Sequence, residues 1–379
     1  MRRSDPTGDE AAPPPDVSDP QFTVVTCGSD TSGSVPLGVG IVGMGGIGRM
    51  HALALAELGD RARLVAFSGG ATADVVGGAV RLAPHDVIAR PDVDVVAICT
   101  PSGTHATLAL AALEAGRHVV VEKPLALDVG DALRVADAAR ERGLTVSMIS
   151  QRRLEAEHVV LKQALDDGAL GALRLAMTHV HWFRDDDYYR AAGWRSTAAQ
   201  GGGSLMNQGV HNVDLLRWMC GPVESVTAQS GTLAHAIEAE DTTVATLRFA
   251  SGALGVVTTT TATPPGFPAT IALFGSRGSV ELGQGEVRRW DVPGVPEPGT
   301  GAIASGAADP LAIGHAGHLA QWTRIVDALE TSSPVPVGVD DALETVRLLC
   351  AIQTAAATGA VVRPADLGRT RQSQPGPQL

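Results

Sequence analysis

Aromatic residues make up only 3% of this 379-residue chain, with two tyrosines and six phenylalanines. Combined with 44% hydrophobic residues, that shortage excludes an aromatic-anchored β-sandwich and fits an Ala/Val/Leu-rich α/β protein. Cysteine is also sparse. Cys27, Cys99, Cys220 and Cys350 are far apart and form no CxxC or Cys/His ligand spacing, so neither a disulfide framework nor a zinc site is expected. A reducing, cytoplasmic setting follows from the same usage. Positive charge is in deficit: 29 Lys and Arg face 41 Asp and Glu, a formal net charge of −12. Nucleic acid and anionic membrane are thereby excluded as main partners. No run approaches the ~20 apolar residues of a membrane helix. The Arg2-Arg3 pair lacks the apolar stretch that an export signal requires.

Glycine, by contrast, is abundant at 44 residues, and the order along the chain is informative. Residues 1–34, rich in Pro, Asp, Gly, Ser and Thr, read as a disordered tail, or as upstream sequence from an early start codon. Residues 35–150 alternate short apolar runs (VPLGVGIVG, RARLVAF, VDVVAICT, RHVVVEK, LTVSMIS) with helical stretches. That alternation predicts right-handed crossovers and a doubly wound parallel sheet of the Rossmann type. Residues 151–366 predict an α+β domain. One helix precedes seven β-patterned runs, expected to form an open, mainly antiparallel sheet, and two helices close it, near 315–330 and 339–358. Residues 367–379 read as a second tail.

Gly43-Met44-Gly45-Gly46-Ile47-Gly48 matches G-x-G-x-x-G directly after an apolar strand. Gly43 permits the tight turn, Gly45 lets a pyrophosphate approach the backbone, and Gly48 allows close helix–strand packing. Gly46 and Ile47 open the helix whose free N–H groups favour an anion. The acidic residue expected about 20 positions on is missing; Ser68-Gly69-Gly70 stands there instead. Ser68, the following amides and Thr72 are suited to a 2′-phosphate, which tips the reading toward NADP over NAD. The competing account is a shortened loop that holds the ribose loosely.

Glu122-Lys123-Pro124 ends a buried strand, on the sheet edge where open α/β folds bind ligands. A desolvated lysine there can polarise or protonate a carbonyl oxygen; its bland counterpart is a solvated strand-end residue. The segment GGGSLMNQGVHNVDLLRW, Gly201 to Trp218, predicts a helix from about Leu205. Asn207 and His211, and His211 and Asp214, then share one face. The plainer alternative is an amphipathic helix with His211 as a satisfied core histidine.

With GMGGIGRMH, CTPSGTHA, VEKP and GGGSLMNQGVHNVDLLRW in this order, the chain resembles the Gfo/Idh/MocA oxidoreductases over about residues 36–364. The resemblance implies NAD or NADP as cofactor, a sugar, cyclitol or sugar-nucleotide substrate, and a homodimer or homotetramer. It implies Lys123 and His211 as the acid/base groups, with Thr100, Pro101, His105 and Glu122 along the cofactor edge. Many members carry an aspartate where this chain has Asn207; an amide can still orient His211 but cannot stabilise its imidazolium.

Aromatic and basic residues concentrate between His181 and Arg195, so Trp182, Tyr189, Trp194 and Arg195 are candidate substrate contacts. Arg152 and Asp214 join them as candidates, each with a structural ion-pair or hydrogen-bond role as its alternative. For His315 and His318 a helix-surface role is favoured, with the reach of one of them into the pocket as the alternative, and His51 and His235 read as structural. No metal site is expected, His179 and His181 lacking a third ligand. The expected chemistry is hydride transfer between nicotinamide and a secondary alcohol. The rival readings are a catalytically silent dinucleotide sensor and an imine or dihydrodiol reductase.

Overall fold

The computed structural model describes residues 35–70, 77–299 and 314–368; Thr72, the expected N-terminal tail and residues 369–379 lie outside them. Apolar β1 (Leu37–Val42) runs into α1 (Gly46–Glu57), followed by β2 (Ala62–Ser68), β3 (Val80–Arg81) and α2 (Pro84–Ala89). Then come β4 (Val95–Ile98), α3 (His105–Glu114), β5 (His118–Val121), α4 (Val129–Arg142) and β6 (Val146–Met148). These six strands form one parallel sheet in the order β3-β2-β1-β4-β5-β6, the Rossmann arrangement expected. The order reverses between β1 and β4, and a crevice opens there at the carboxyl ends of the strands. Only β3 and α2 escape the sequence periodicity. Each is short, and α2 buries just Val87 and Ile88.

Local chemistry explains the sharper boundaries. Asp128 caps α4 by accepting the Asp131 N–H at 2.8 Å, and Gly143 ends it at φ +63°. Val129, Ala132, Val135, Ala136 and Ala139 supply its buried stripe.

The second lobe comprises α5 (Ala156–Asp166), β7 (Leu173–His181), α6 (Asp186–Arg190), α7 (Val210–Cys220), β8 (Val223–Gly231), β9 (Thr242–Phe249) and β10 (Leu254–Thr260). It continues through β11 (Thr270–Gly275), β12 (Ser279–Leu282), β13 (Val287–Asp291), α8 (Ala316–Thr331) and α9 (Val339–Thr358). The strands order as β13-β12-β11-β7-β10-β9-β8. Every neighbouring pair is antiparallel except β7 and β10, which run parallel. Alternating burial has the same period in both directions, so sequence alone left that pair undetermined. One face of the sheet packs on α7, with Ala176, Thr178 and Val180 of β7 buried.

Both C-terminal helices return to the first sheet. Trp322, Ile325 and Val326 of α8 share a core with Val39, Ile41 and Leu55, while Leu343 and Val346 of α9 join the core around Val119 and Val135. Leu367, placed by the sequence in the terminal tail, packs against the core around Val119 and Val135 and against the second lobe's core around Leu216 and Leu349, and its carbonyl accepts from the Arg347 guanidinium.

Candidate active site

The glycine-rich turn is built as its spacing implied. Gly43 has φ +103°, and a Cβ there would lie 2.7 Å from the Cys99 backbone. A Cβ on Gly48 would lie 2.3 Å from the Gly43 carbonyl oxygen, so this glycine serves helix–strand contact and does not line the cavity. A Cβ on Gly45 would meet nothing within 4 Å, because the position opens into the cavity. Gly45, Gly46 and Ile47 therefore present backbone at a helix N-terminus, the cradle that a pyrophosphate requires. Ser68 corrects the expectation. It is buried, its hydroxyl accepts the Gly43 N–H at 3.2 Å, and it does not line the cavity. That leaves Gly69 and Gly70 on the wall.

The cavity, about 780 Å³, runs from this turn past Thr100, Pro101 and His105 to Glu122, Lys123, Asn207 and His211. Both ring nitrogens of His105 face carbonyls, Pro124 O at 2.7 Å and Thr100 O at 2.9 Å. The ring thus clips the β4 loop to the Lys123-Pro124 turn, whose peptide bond is cis. Lys123 is half-buried and donates from Nζ to the Asn207 carbonyl oxygen at 3.0 Å. Burial lowers its pKa, with the nearby Glu122 charge opposing. His211 is held neutral at about 3, first by burial and then by the positive charges of Lys123 and Arg152. Lysine and imidazole therefore face one cavity and feel each other.

Glu122 anchors a network that sequence reasoning missed. The Trp322 indole N–H donates to His51 Nδ1 at 3.0 Å. Nε2 of that ring must then carry the proton that meets Glu122 Oε1 at 3.2 Å. His318 Nε2 lies 3.1 Å from the same oxygen. Burial alone would raise the Glu122 pKa, but the two imidazoles hold it well below the usual carboxylate range. His318, expected on a helix surface, is buried and lines the cavity. Ligand atoms of His51, Glu122 and His318 lie close enough to bracket a cation, yet this pattern spends both His51 nitrogens on protein partners and gives the carboxylate its donors. Nothing in sequence links residues 51, 122 and 318.

The helix that carries His211 also departs from expectation. Residues Ser204–Gly209 form a π-helix, and α7 begins only at Val210. The wider π turn breaks the i,i+4 alignment. Asn207 Nδ2 donates to the Tyr188 hydroxyl at 3.3 Å, and no hydrogen bond to the His211 ring is present among the described residues. Asn207 lines the cavity but does not orient His211 through a hydrogen bond. Asp214 faces the other way. Buried, it takes both Arg153 Nε (2.7 Å) and Nη2 (2.5 Å), together with the Thr345 and Ser150 hydroxyls. Burial alone would raise its pKa; Arg153 overcomes this and holds it at about 2.

Of the other substrate candidates, Trp182, Trp194 and Arg195 line the cavity. Arg152 does not; it is buried against Glu155 and Asn212 Oδ1. Tyr189 is buried with its hydroxyl on Thr261 at 2.8 Å, and the adjacent Tyr188 lines the cavity with Arg184, Gln208 and Gln151. The aromatic-basic cluster signalled the region, but only the five-residue α6 selects between two consecutive tyrosines.

Residues 37–150 match the family described as "Oxidoreductase family, NAD-binding Rossmann fold", and residues 158–281 match "GFO/IDH/MocA C-terminal domain". The myo-inositol 2-dehydrogenase of Thermotoga maritima is 30% identical over 262 residues, 64% of this chain and 74% of that protein. An inositol 2-dehydrogenase of Rubrobacter xylanophilus is 31% identical over 65% of this chain and 71% of its own length. Among solved structures, the WlbA dehydrogenase of Bordetella pertussis in complex with NADH and UDP-GlcNAcA is 33% identical with a TM-score of 0.78, covering 86% of this chain and 98% of that one. With its parallel sheet, glycine turn and lysine and histidine on one cavity, the chain belongs to the Gfo/Idh/MocA family of NAD-binding oxidoreductases and is a dehydrogenase acting on CH–OH groups.

Proposed function

We propose that the chain oxidises a secondary hydroxyl on a sugar, cyclitol or sugar nucleotide, with NAD as the partner. The observation that carries this reading is the convergence of Lys123 and a neutral His211 on the cavity that begins at the glycine turn. NAD, when bound, supplies the hydride acceptor. Lys123 Nζ, held by the Asn207 carbonyl, directs its remaining protons at the substrate oxygen and stabilises negative charge developing there. A ring nitrogen of His211 takes the hydroxyl proton as the carbon gives up its hydride. The Lys123 charge opposes protonation of His211, and an alkoxide beside that lysine offsets the opposition in the bound state. NAD is favoured over NADP because the Ser68 hydroxyl is spent on Gly43 and WlbA, a similar dehydrogenase, holds NADH.

The test is turnover with myo-inositol, hexoses and nucleotide sugars, each with NAD and with NADP. Oxidation of at least one polyol or sugar, with kcat/KM about tenfold higher for NAD, is expected. Lys123→Ala and His211→Ala should each lower kcat by about 10²-fold or more. Dinucleotide binding without turnover of any of these compounds, or near-normal turnover by both variants, overturns the reading.

A further inference from the structure

The part of the cavity lined by Arg184, Tyr188 and Arg195 carries a charge pattern that hydride transfer does not require. Tyr188 and Arg195, which shape it, follow β7, and the hydroxyl oxygen of Tyr188 accepts from Gln208 Nε2 at 2.9 Å and from Asn207 Nδ2 at 3.3 Å. With the two amide nitrogens donating to its oxygen, the hydroxyl keeps its own proton as a donor, and Tyr188 lines the cavity. The Arg195 guanidinium lies 4.1 Å from the Tyr188 ring centre, and its Nη1 donates to the Tyr188 carbonyl at 2.8 Å. Its Nε is buried without a hydrogen-bond partner, and among the described residues no carboxylate pairs with Arg195. Arg184 places a second guanidinium 5.3 Å from the same ring centre.

Among the described residues, the acidic side chains nearest this wall have other partners. Asp185 caps α6, Asp186 and Asp187 are exposed and pair with Arg190, and Glu240 is occupied by Ser204 and Leu205. Among the described residues Glu122 is the one acidic residue of the lining, and its carboxylate accepts from His51 Nε2 and lies 3.1 Å from His318 Nε2. A chain of net charge −12 thus gathers Lys123, Arg184 and Arg195 around one cavity. Tyr188 binds Asn207, whose carbonyl binds Lys123, so this positive wall stands at the reacting end of the cavity.

We propose that Arg195 and the Tyr188 hydroxyl form a subsite for an oxyanion carried by the substrate: a carboxylate or a phosphate attached to the sugar. The inference rests on the dehydrogenase reading and narrows its substrate class. Guanidinium and phenol both donate, and both stand where a ring substituent would lie while a hydroxyl faces Lys123 and His211.

The enzyme saturated with NADH is titrated calorimetrically with glucose, glucuronate and glucose 1-phosphate, in low and high salt. At least one charged sugar should bind about tenfold more tightly than glucose, with the advantage shrinking in high salt. The tighter of the two identifies carboxylate or phosphate as the source. Arg195→Gln and Tyr188→Phe should each abolish the advantage while the NADH Kd stays within about twofold, and Arg195→Lys should restore part of it. The Tyr188→Phe variant, which removes only a hydroxyl, keeps the test decisive if the Arg195→Gln protein does not fold. Equal or absent binding of charged and neutral sugars overturns the subsite. So does loss of NADH affinity in Arg195→Gln with the sugar preference intact, since Arg195 would then belong to the cofactor. Oxidation of a neutral polyol without charge preference would sink the subsite and leave the dehydrogenase reading. Charge-selective binding with no turnover of any sugar would do the reverse.

Discussion

Gly45 and Gly48 stand three residues apart in one turn and should respond oppositely to a methyl group. At Gly45 the new carbon meets only cavity, and at Gly48 it meets the Gly43 carbonyl at 2.3 Å. Gly45→Ala should therefore fold with an unchanged melting temperature but bind NADH about tenfold or more weakly. Gly48→Ala should lose about 1–3 kcal/mol of stability, read as a lower denaturant midpoint. A folded, fully binding Gly45→Ala protein would remove the turn from cofactor contact. The roles of these glycines are legible in the sequence because each follows from one missing side chain at a fixed place in a strand–turn–helix. The role of Ser68 was not, since its hydroxyl is claimed by a backbone N–H 25 residues earlier.

At the scale of elements, the π-helix Ser204–Gly209 decides what its residues face. An α-helix there would stack Asn207 over His211; the wider turn sends the amide to Tyr188 instead. The triple glycine and the His211 spacing mark the segment as unusual, but no local pattern distinguishes a π turn from an α turn. Asn207→Asp tests the placement. A carboxylate put beside Tyr188 should accept a hydrogen bond from the phenolic O–H and repel an incoming anion, weakening charged-sugar binding about tenfold while glucose binding is unmoved. An effect confined to the His211 limb of the pH–rate profile would return residue 207 to the histidine.

For the molecule as a whole, the buried Arg153–Asp214 pair joins the end of β6 to α7, and Asp341, bound by Arg153 and Arg217, extends it to α9. Asp214→Ala would leave Arg153 short of its bidentate partner in the interior and should cost about 3–5 kcal/mol, measured by denaturant unfolding, with little change in substrate KM. The pH sign follows from Asp214 lying near 2 when folded against an ordinary 3.8. The unfolded chain binds the proton more readily, so the contribution is full above about pH 4 and is lost as pH falls toward 2. An acid-unfolding curve of Asp214→Asn should be flatter across that window than the wild-type curve. An equal slope would place the acid sensitivity elsewhere.

Fold class and glycine turn were determined by the sequence alone, which also marked Lys123 and His211 as candidates. Each depends on periodicity or on spacing within a few residues, which the chain expresses wherever it folds. Tertiary structure alone decided the rest. It showed that Tyr188 and not Tyr189 faces the cavity, that Asp214 and Arg152 are structural, and that His51, Glu122 and His318 meet. These outcomes depend on which distant groups compete for the same buried hydrogen bond, and that competition exists only once β5, α1 and α8 are packed together.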